Sequence, residues 1–152
     1  MKLTDYFKAE NCVLDLKATG KEAAIRELVA KLEATGKIKD KDDFIKHLLE
    51  RERLGSTGIG NRVAIPHAPT QSVEGMVFAF GRSAKGLDFQ SLDGEEVNMV
   101  FLLGTNSQDL HSYLKLLATL SKLLNNRQFR EDFMAAGSCE QIIEILKKHE
   151  KD

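Results

Sequence analysis

No apolar run in this chain approaches the roughly 20 residues that a membrane-spanning helix requires. Its most apolar stretches, such as Met99–Leu103 and Leu114–Leu117, are short. The opening residues Met1-Lys2-Leu3-Thr4-Asp5-Tyr6 lack the apolar centre of a secretory signal. A cytoplasmic protein that does not insert into the membrane is therefore expected. Cysteine is scarce: Cys12 and Cys139 form neither a CxxC pair nor a metal-ligand spacing, which fits a reducing compartment and offers no metal site. Neither sign of charge dominates, since 22 Lys and Arg stand against 23 Asp and Glu for a net charge of −1. The charges are interspersed, so no broad basic face is available for nucleic acid. The nearest basic run, Lys37, Lys39 and Lys41, alternates with Ile38, Asp40 and Asp42 and reads as a solvated approach to a helix. Internal repeats and low-complexity linkers are also missing. The two prolines, Pro66 and Pro69, fall on either side of one histidine.

What is present is a globular balance, with 42% hydrophobic and 30% charged residues. The length suits one core, so residues 1–152 are read as a single domain. Thr4 is placed to cap a short helix through Lys8, and Cys12–Leu16 alternates like a strand. Between Lys21 and Ala34, Ile25, Leu28, Val29 and Leu32 recur at helical spacing, with Gly36 placed to end the helix. A second helix is expected from near Asp40 to Arg53, burying Phe44, Ile45, Leu48 and Leu49. Gly55-Ser56-Thr57-Gly58-Ile59-Gly60-Asn61 is too rich in glycine for either regular structure. Val63-Ala64-Ile65 reads as a short strand delivering Pro66 and His67 at its end. Met76–Phe80 and Val97–Leu103 are nearly continuous in apolar residues, so both faces of these strands are expected to be covered. The turn between them falls over Asp88–Gly94. Three helices follow: Asp109–Leu124, Gln128–Ala136, and a last one opened by a capping box of Ser138 and Gln141. This order predicts an α/β fold with a central mixed sheet flanked by helices on both faces.

Of the four histidines, His47 sits inside a helix with ordinary neighbours and His149 lies near the C-terminus, so both read as structural. His67 differs. A glycine-rich loop, a short strand and Pro66 precede it, and Pro69 follows, a framework that fixes the backbone at one point. Spacing alone leaves a packed structural histidine and a nucleophile both open. An unperturbed imidazole titrates at about pH 6.5, so it offers a neutral ring nitrogen near pH 7. Phosphoryl transfer needs positioning and stabilisation of the equatorial oxygens more than covalent work by the protein. The amides of a glycine-rich turn, here at Gly58, and the hydroxyls of Ser56 and Thr57 are donors of the right kind. Arg51 and Arg53 either supply guanidinium donors or form a solvated helix end. The loop lacks the GK[ST] ending of a P-loop and does not fit GxGxxG, and no GxSxG elbow occurs. No second histidine or cysteine lies near His67 in sequence, which leaves a zinc site without local support.

Taken together, Arg51-Glu52, then Leu54-Gly55-Ser56-Thr57-Gly58-Ile59-Gly60-Asn61, then Val63-Ala64-Ile65-Pro66-His67-Ala68 resemble the signature of fructose/mannitol-type enzyme IIA domains and their nitrogen-regulatory relatives. The resemblance continues through Gly86-Leu87-Asp88-Phe89, Leu92-Asp93-Gly94, Val100–Leu103 and Leu114–Leu124. It implies a sheet flanked by helices and a phosphohistidine at His67, with no cofactor. The implied donor is HPr or its nitrogen-branch counterpart. The implied acceptor is an enzyme IIB cysteine or, in regulatory members, a target protein responding to phosphorylation state. Arg51 matches the family arginine beside the phosphohistidine, and Glu52 the acid next to it. Arg62 stands where the family often has glycine. Many members also carry a second histidine on the helix after the last strand. In register Tyr113 takes that place, with His111 just before it; His111 is the expected supporting residue and Tyr113 its possible substitute. The loop sequence is nearer the nitrogen-regulatory group, so a phosphorylation-controlled regulatory module is expected first and a sugar-uptake component second.

Overall fold

Residues 2–150 are described by a computed structural model. Helix α1 (Lys21–Leu32) buries Ala24, Ile25, Leu28, Val29 and Leu32 on the stripe their spacing predicts. A 3-10 turn over Glu33–Thr35 closes at Gly36, whose φ of 74° requires the left-handed region that glycine enters freely. Helix α2 (Lys41–Leu54) starts at Asp40, whose carboxylate accepts from the Asp43 amide at 3.1 Å. The stripe Phe44, Ile45 and Leu48 is buried and Leu49 partly so.

The strands are β1 (Cys12–Val13), β2 (Gly58–Gly60), β3 (Val63–Ala64), β4 (His67–Pro69), β5 (Met76–Leu87) and β6 (Val97–Thr105). They form one mixed sheet in the order β1-β5-β6-β3-β2, and β4 also pairs with β6. β5 and β6 are antiparallel; β3 and β4 both run parallel to β6, and β1 runs parallel to β5. Alternation along β5 sorts side chains to two faces. Met76, Phe78 and Phe80 join a core shared with α3 (Leu110–Leu124), α4 (Arg127–Ala135) and α5 (Cys139–His149). Val77 and Ala79 join the core under α1 and α2. The second face is lined by small residues, and α2 sits close: a Cβ on Gly104 would overlap the Phe44 ring. The expected mixed sheet with helices on both faces is therefore the observed architecture.

Several elements differ from expectation. The N-terminal segment is a 3-10 turn, Leu3–Asp5, rather than a helix capped by Thr4; the Thr4 amide and hydroxyl instead donate to Glu150. β1 covers two residues rather than five, and β5 runs seven residues past Phe80. The glycine-rich loop contains β2, which folds back on β3 through Asn61 and Arg62, both at positive φ. Ser138 caps α5 by accepting from the Gln141 amide, but the Gln141 side chain reaches the Gly137 amide, one residue before the expected partner. Cys12 and Cys139, 127 residues apart, pair as a disulfide with Cα atoms 5.9 Å apart. Their separation in sequence hid this, because it depends on β1 lying against the start of α5. No helix among the described residues is long and apolar enough to cross a membrane.

Candidate active site

His67 begins β4, not the tail of β3 as the sequence suggested. β3 and β4 pair with β6 in one continuous register, Val63 opposite Met99 and His67 opposite Leu103, with a break at Ile65-Pro66. At that break the Ile65 amide faces away from β6 and extends the β2–β3 pairing, donating to the Thr57 carbonyl at 3.0 Å. The Ile65 carbonyl in turn lies 2.7 Å from Nδ1 of His67. A carbonyl oxygen can only accept, so Nδ1 carries the proton and Nε2 is left with its lone pair free. Burial, followed by the Arg51 guanidinium, pushes the His67 pKa below the usual imidazole value, although the Ile65 contact and Glu52 oppose the shift. The ring is therefore neutral near pH 7, with one defined nucleophilic nitrogen.

It opens on a cavity of about 700 Å³ shared with Arg51, Tyr113, Leu54, Leu110 and Leu114. Arg51 donates to the Gly55 carbonyl at 2.9 Å, which directs its side chain across the loop. Tyr113 is 2% exposed, and its ring centroid lies 6.2 Å from that of His67. Its hydroxyl is buried without a hydrogen-bond partner, and burial raises its pKa. The rim is apolar: Leu54 is 85% exposed and Leu114 55%, which is unusual for residues of this kind clustered on one rim.

Of the residues singled out by sequence, His67, Arg51 and Tyr113 come together here, and Arg53 also reaches the cavity. His111 does not: it is exposed and does not line the cavity. The reason is helical register. A 3-10 turn over Ser107–Asp109 precedes α3, and the buried stripe of α3 is Tyr113, Leu116, Leu120 and Leu124, which leaves His111 facing outward. Ser56, Thr57 and Gly58 likewise take another part than donating to a phosphate. The Ser56 hydroxyl donates to the Phe89 carbonyl at 2.6 Å and accepts from the Gly58 amide at 3.0 Å. The Thr57 hydroxyl donates to Glu52, and a Cβ on Gly58 would overlap Ser91. These residues brace the loop and lie outside the cavity lining. Conversely, His47 lines the cavity, although its sequence setting reads as ordinary. The signal was its helical spacing to Arg51 and Leu54, which puts all three on one face of α2. Below it Asp43 anchors the segment after His67, accepting from the hydroxyls of Ser72 and Thr70, which hold its carboxyl below the usual carboxylate value.

Comparison with known proteins adds to this geometry. The family model described as phosphoenolpyruvate-dependent sugar phosphotransferase system, EIIA 2, matches residues 5–149. The chain is 38% identical, over 99% of its length, to the fructose-specific EIIABC component of Bacillus subtilis, of which it spans 24%. It is 34% identical to a nitrogen regulatory protein of Bradyrhizobium diazoefficiens, covering 96% of this chain and 95% of that one. Among solved structures, it is similar to the nitrogen regulatory protein IIA-Ntr of Neisseria meningitidis, with a TM-score of 0.88 and 29% identity over 95% of this chain and 98% of that one.

Proposed function

This chain belongs to the EIIA 2 family of the phosphoenolpyruvate-dependent sugar phosphotransferase system, and we propose that within it His67 is the phosphoryl acceptor, reacting through Nε2. The observation that carries the reading is the Nδ1 contact with the Ile65 carbonyl, which leaves a neutral Nε2 on a ring lining the cavity beside Arg51. The Nε2 lone pair attacks the phosphorus of a phosphohistidine on an HPr-like carrier. The phosphorus–nitrogen bond to the carrier breaks, and its electron pair leaves with the carrier imidazole. Nε2 has no proton to lose, so the step needs no general base. Arg51 contributes positive charge to the phosphoryl oxygens, and the Tyr113 hydroxyl donates to one of them. The apolar rim of Leu54, Leu110 and Leu114 receives the carrier and excludes water from the transfer. Such a donor is cytoplasmic, and in that reducing compartment the Cys12–Cys139 pair closes only on oxidation.

The phosphorylated protein then acts through its phosphorylation state, as a nitrogen-regulatory type enzyme IIA. Supporting this are the 34% identity spread over nearly all of the Bradyrhizobium protein and the fold similarity to the Neisseria one. A second reading, transfer onward to an enzyme IIB cysteine in sugar uptake, is supported by the 38% identity to the Bacillus fructose component. Incubation with phosphoenolpyruvate, enzyme I and HPr, followed by intact-protein mass, is expected to show one added phosphoryl group that His67→Ala abolishes. A His67→Ala protein that still takes up phosphate would remove the assignment. Adding a fructose-type enzyme IIB separates the two readings: rapid transfer to its cysteine supports uptake, and a retained phosphohistidine supports regulation.

A further inference from the structure

Glu52 is a carboxylate whose side chain is only 3% exposed, at the end of α2 beside the active loop. A buried carboxylate is costly unless it is both hydrogen-bonded and charge-paired. Its hydrogen bonds come from one residue, Thr57, through the backbone amide at 3.2 Å and through the hydroxyl. Its counter-charge comes from elsewhere in the chain. The Lys21 ammonium, on the first residue of α1, lies 3.2 Å from Glu52 Oε1 and is itself 15% exposed. Lys21 also donates to the Gln90 amide oxygen at 3.3 Å and lies over the Phe89 ring at 5.6 Å. Phe89 is the residue whose carbonyl receives the Ser56 hydroxyl. One ammonium thus joins the two segments that grip the loop: the end of α2 on one side and residues 89–90 on the other.

From that ion pair a continuous series of contacts reaches the nucleophile. Glu52 holds Thr57, the Thr57 carbonyl holds the Ile65 amide, and the Ile65 carbonyl fixes Nδ1 of His67. We propose that Lys21 is a positioning residue for phosphoryl transfer, acting through Glu52 and Thr57 to hold the backbone that sets the orientation and tautomer of His67. The inference rests on His67 as phosphoryl acceptor. Without the ammonium, the Glu52 carboxylate is an unpaired buried charge, and the arrangement that relieves it, turning toward solvent, releases Thr57. Lys21 does not line the His67 cavity, so it has no part in receiving the carrier.

The test is a set of Lys21→Met, Lys21→Arg, Glu52→Gln and Lys21→Met/Glu52→Gln proteins, compared with the unmodified chain. Methionine keeps the apolar stem over Phe89 and removes only the charge. Transfer from phosphorylated HPr to Lys21→Met is expected to slow roughly ten- to a hundredfold in kcat with KM unchanged, a misplacement of about 1 Å costing about a hundredfold. Lys21→Arg restores most of the rate. In the Glu52→Gln background no buried charge remains to be paired, so adding Lys21→Met has no further effect. Glu52→Gln also gives a double variant free of the unpaired charge should Lys21→Met fold poorly. Amide exchange in the free protein supplies a readout independent of phosphoryl chemistry: the Thr57 and Ile65 amides are expected to exchange faster in Lys21→Met. An unchanged kcat, a loss confined to KM, additive effects in the double variant, or unaltered Thr57 exchange overturns the proposal. If instead the unmodified protein fails to label His67, the reading of the site fails, while the exchange data still judge the link from Lys21 to the loop.

Discussion

Replacing Tyr113 by phenylalanine is expected to move stability and activity in opposite directions. The phenol is buried, with no partner for its hydroxyl among the described residues. An unsatisfied buried hydroxyl costs about 1–3 kcal/mol. Phenylalanine keeps the ring in the core it shares with Leu116 and Ile65 and removes only that oxygen. The unphosphorylated Tyr113→Phe protein is therefore expected to gain on the order of 1 kcal/mol, raising Tm by roughly 2–4 °C in a chain of this length. Phosphoryl transfer runs the other way. A hydrogen bond to a charged acceptor contributes about 1.5–3 kcal/mol, so losing it from the transition state slows acceptance by His67 roughly ten- to a hundredfold. In the phosphorylated protein the hydroxyl has found its partner, and the stability gain should disappear. Thermal melts of both forms, paired with rapid-quench transfer from phosphorylated HPr, measure all three quantities. A Tyr113→Phe protein with unchanged Tm and unchanged rate would show that Tyr113 merely packs, and that the unpaired hydroxyl has nothing to do with the phosphoryl group.

The remaining expectations follow from the same geometry. Arg51→Ala should raise the transfer barrier by about 2–4 kcal/mol and Arg53→Ala by less, because Arg51 also perturbs the His67 ring; equal rates for the two would contradict the assignment. His111→Ala should transfer at nearly the unmodified rate, as its exposed position predicts, and a large loss would return it to the site. Folding lowers the His67 pKa, so the unfolded chain binds that proton more readily between the two values. This contribution to stability is whole above about pH 6.5 and is lost as pH falls through the interval below it, while acceptor activity falls only at the lower end, where the folded ring itself takes up a proton. An NMR titration placing His67 above the ordinary imidazole value would refute this. Finally, the Cys12–Cys139 pair closes a loop spanning most of the chain, and its reduction is expected to cost about 2–4 kcal/mol, read as a drop in Tm on adding dithiothreitol. Mass measurement of the oxidised protein after thiol alkylation, without reductant, should find neither cysteine labelled.

The helices were legible because each buries one stripe: Ile25, Leu28, Val29 and Leu32 on α1, and Phe44, Ile45 and Leu48 on α2. The first half of β5 and β6 as far as Leu103 were legible as nearly continuous apolar runs. The second half of β5 was hidden by Arg82, whose guanidinium is satisfied by the carbonyls of Phe133, Met134 and Ala136, far away in sequence. For the same reason the partners that the loop hydroxyls take in this structure were not legible. Ser56 bonds a carbonyl 33 residues away, and nothing in the loop's own composition reveals it. That the backbone is fixed around His67 was readable, because prolines and glycines act on their immediate neighbours, but its place at the start of β4 was not. Which of His111 and Tyr113 faces the core was readable in the spacing of the stripe Tyr113, Leu116, Leu120 and Leu124.

The sheet divides the interior into two separately packed compartments, and the site draws on both. Arg51 extends from the α1–α2 layer, Tyr113 from the layer of α3, α4 and α5, and His67 stands on the strand between them. Alignment of these three side chains is consequently a mechanical tolerance set by two cores joined mainly through the sheet. A slackened contact in either core, however far from the cavity, shifts one wall of the site against the other. If His67 is the acceptor proposed above, it doubles as a gauge of how well the two layers are seated, and loss of transfer should precede loss of fold.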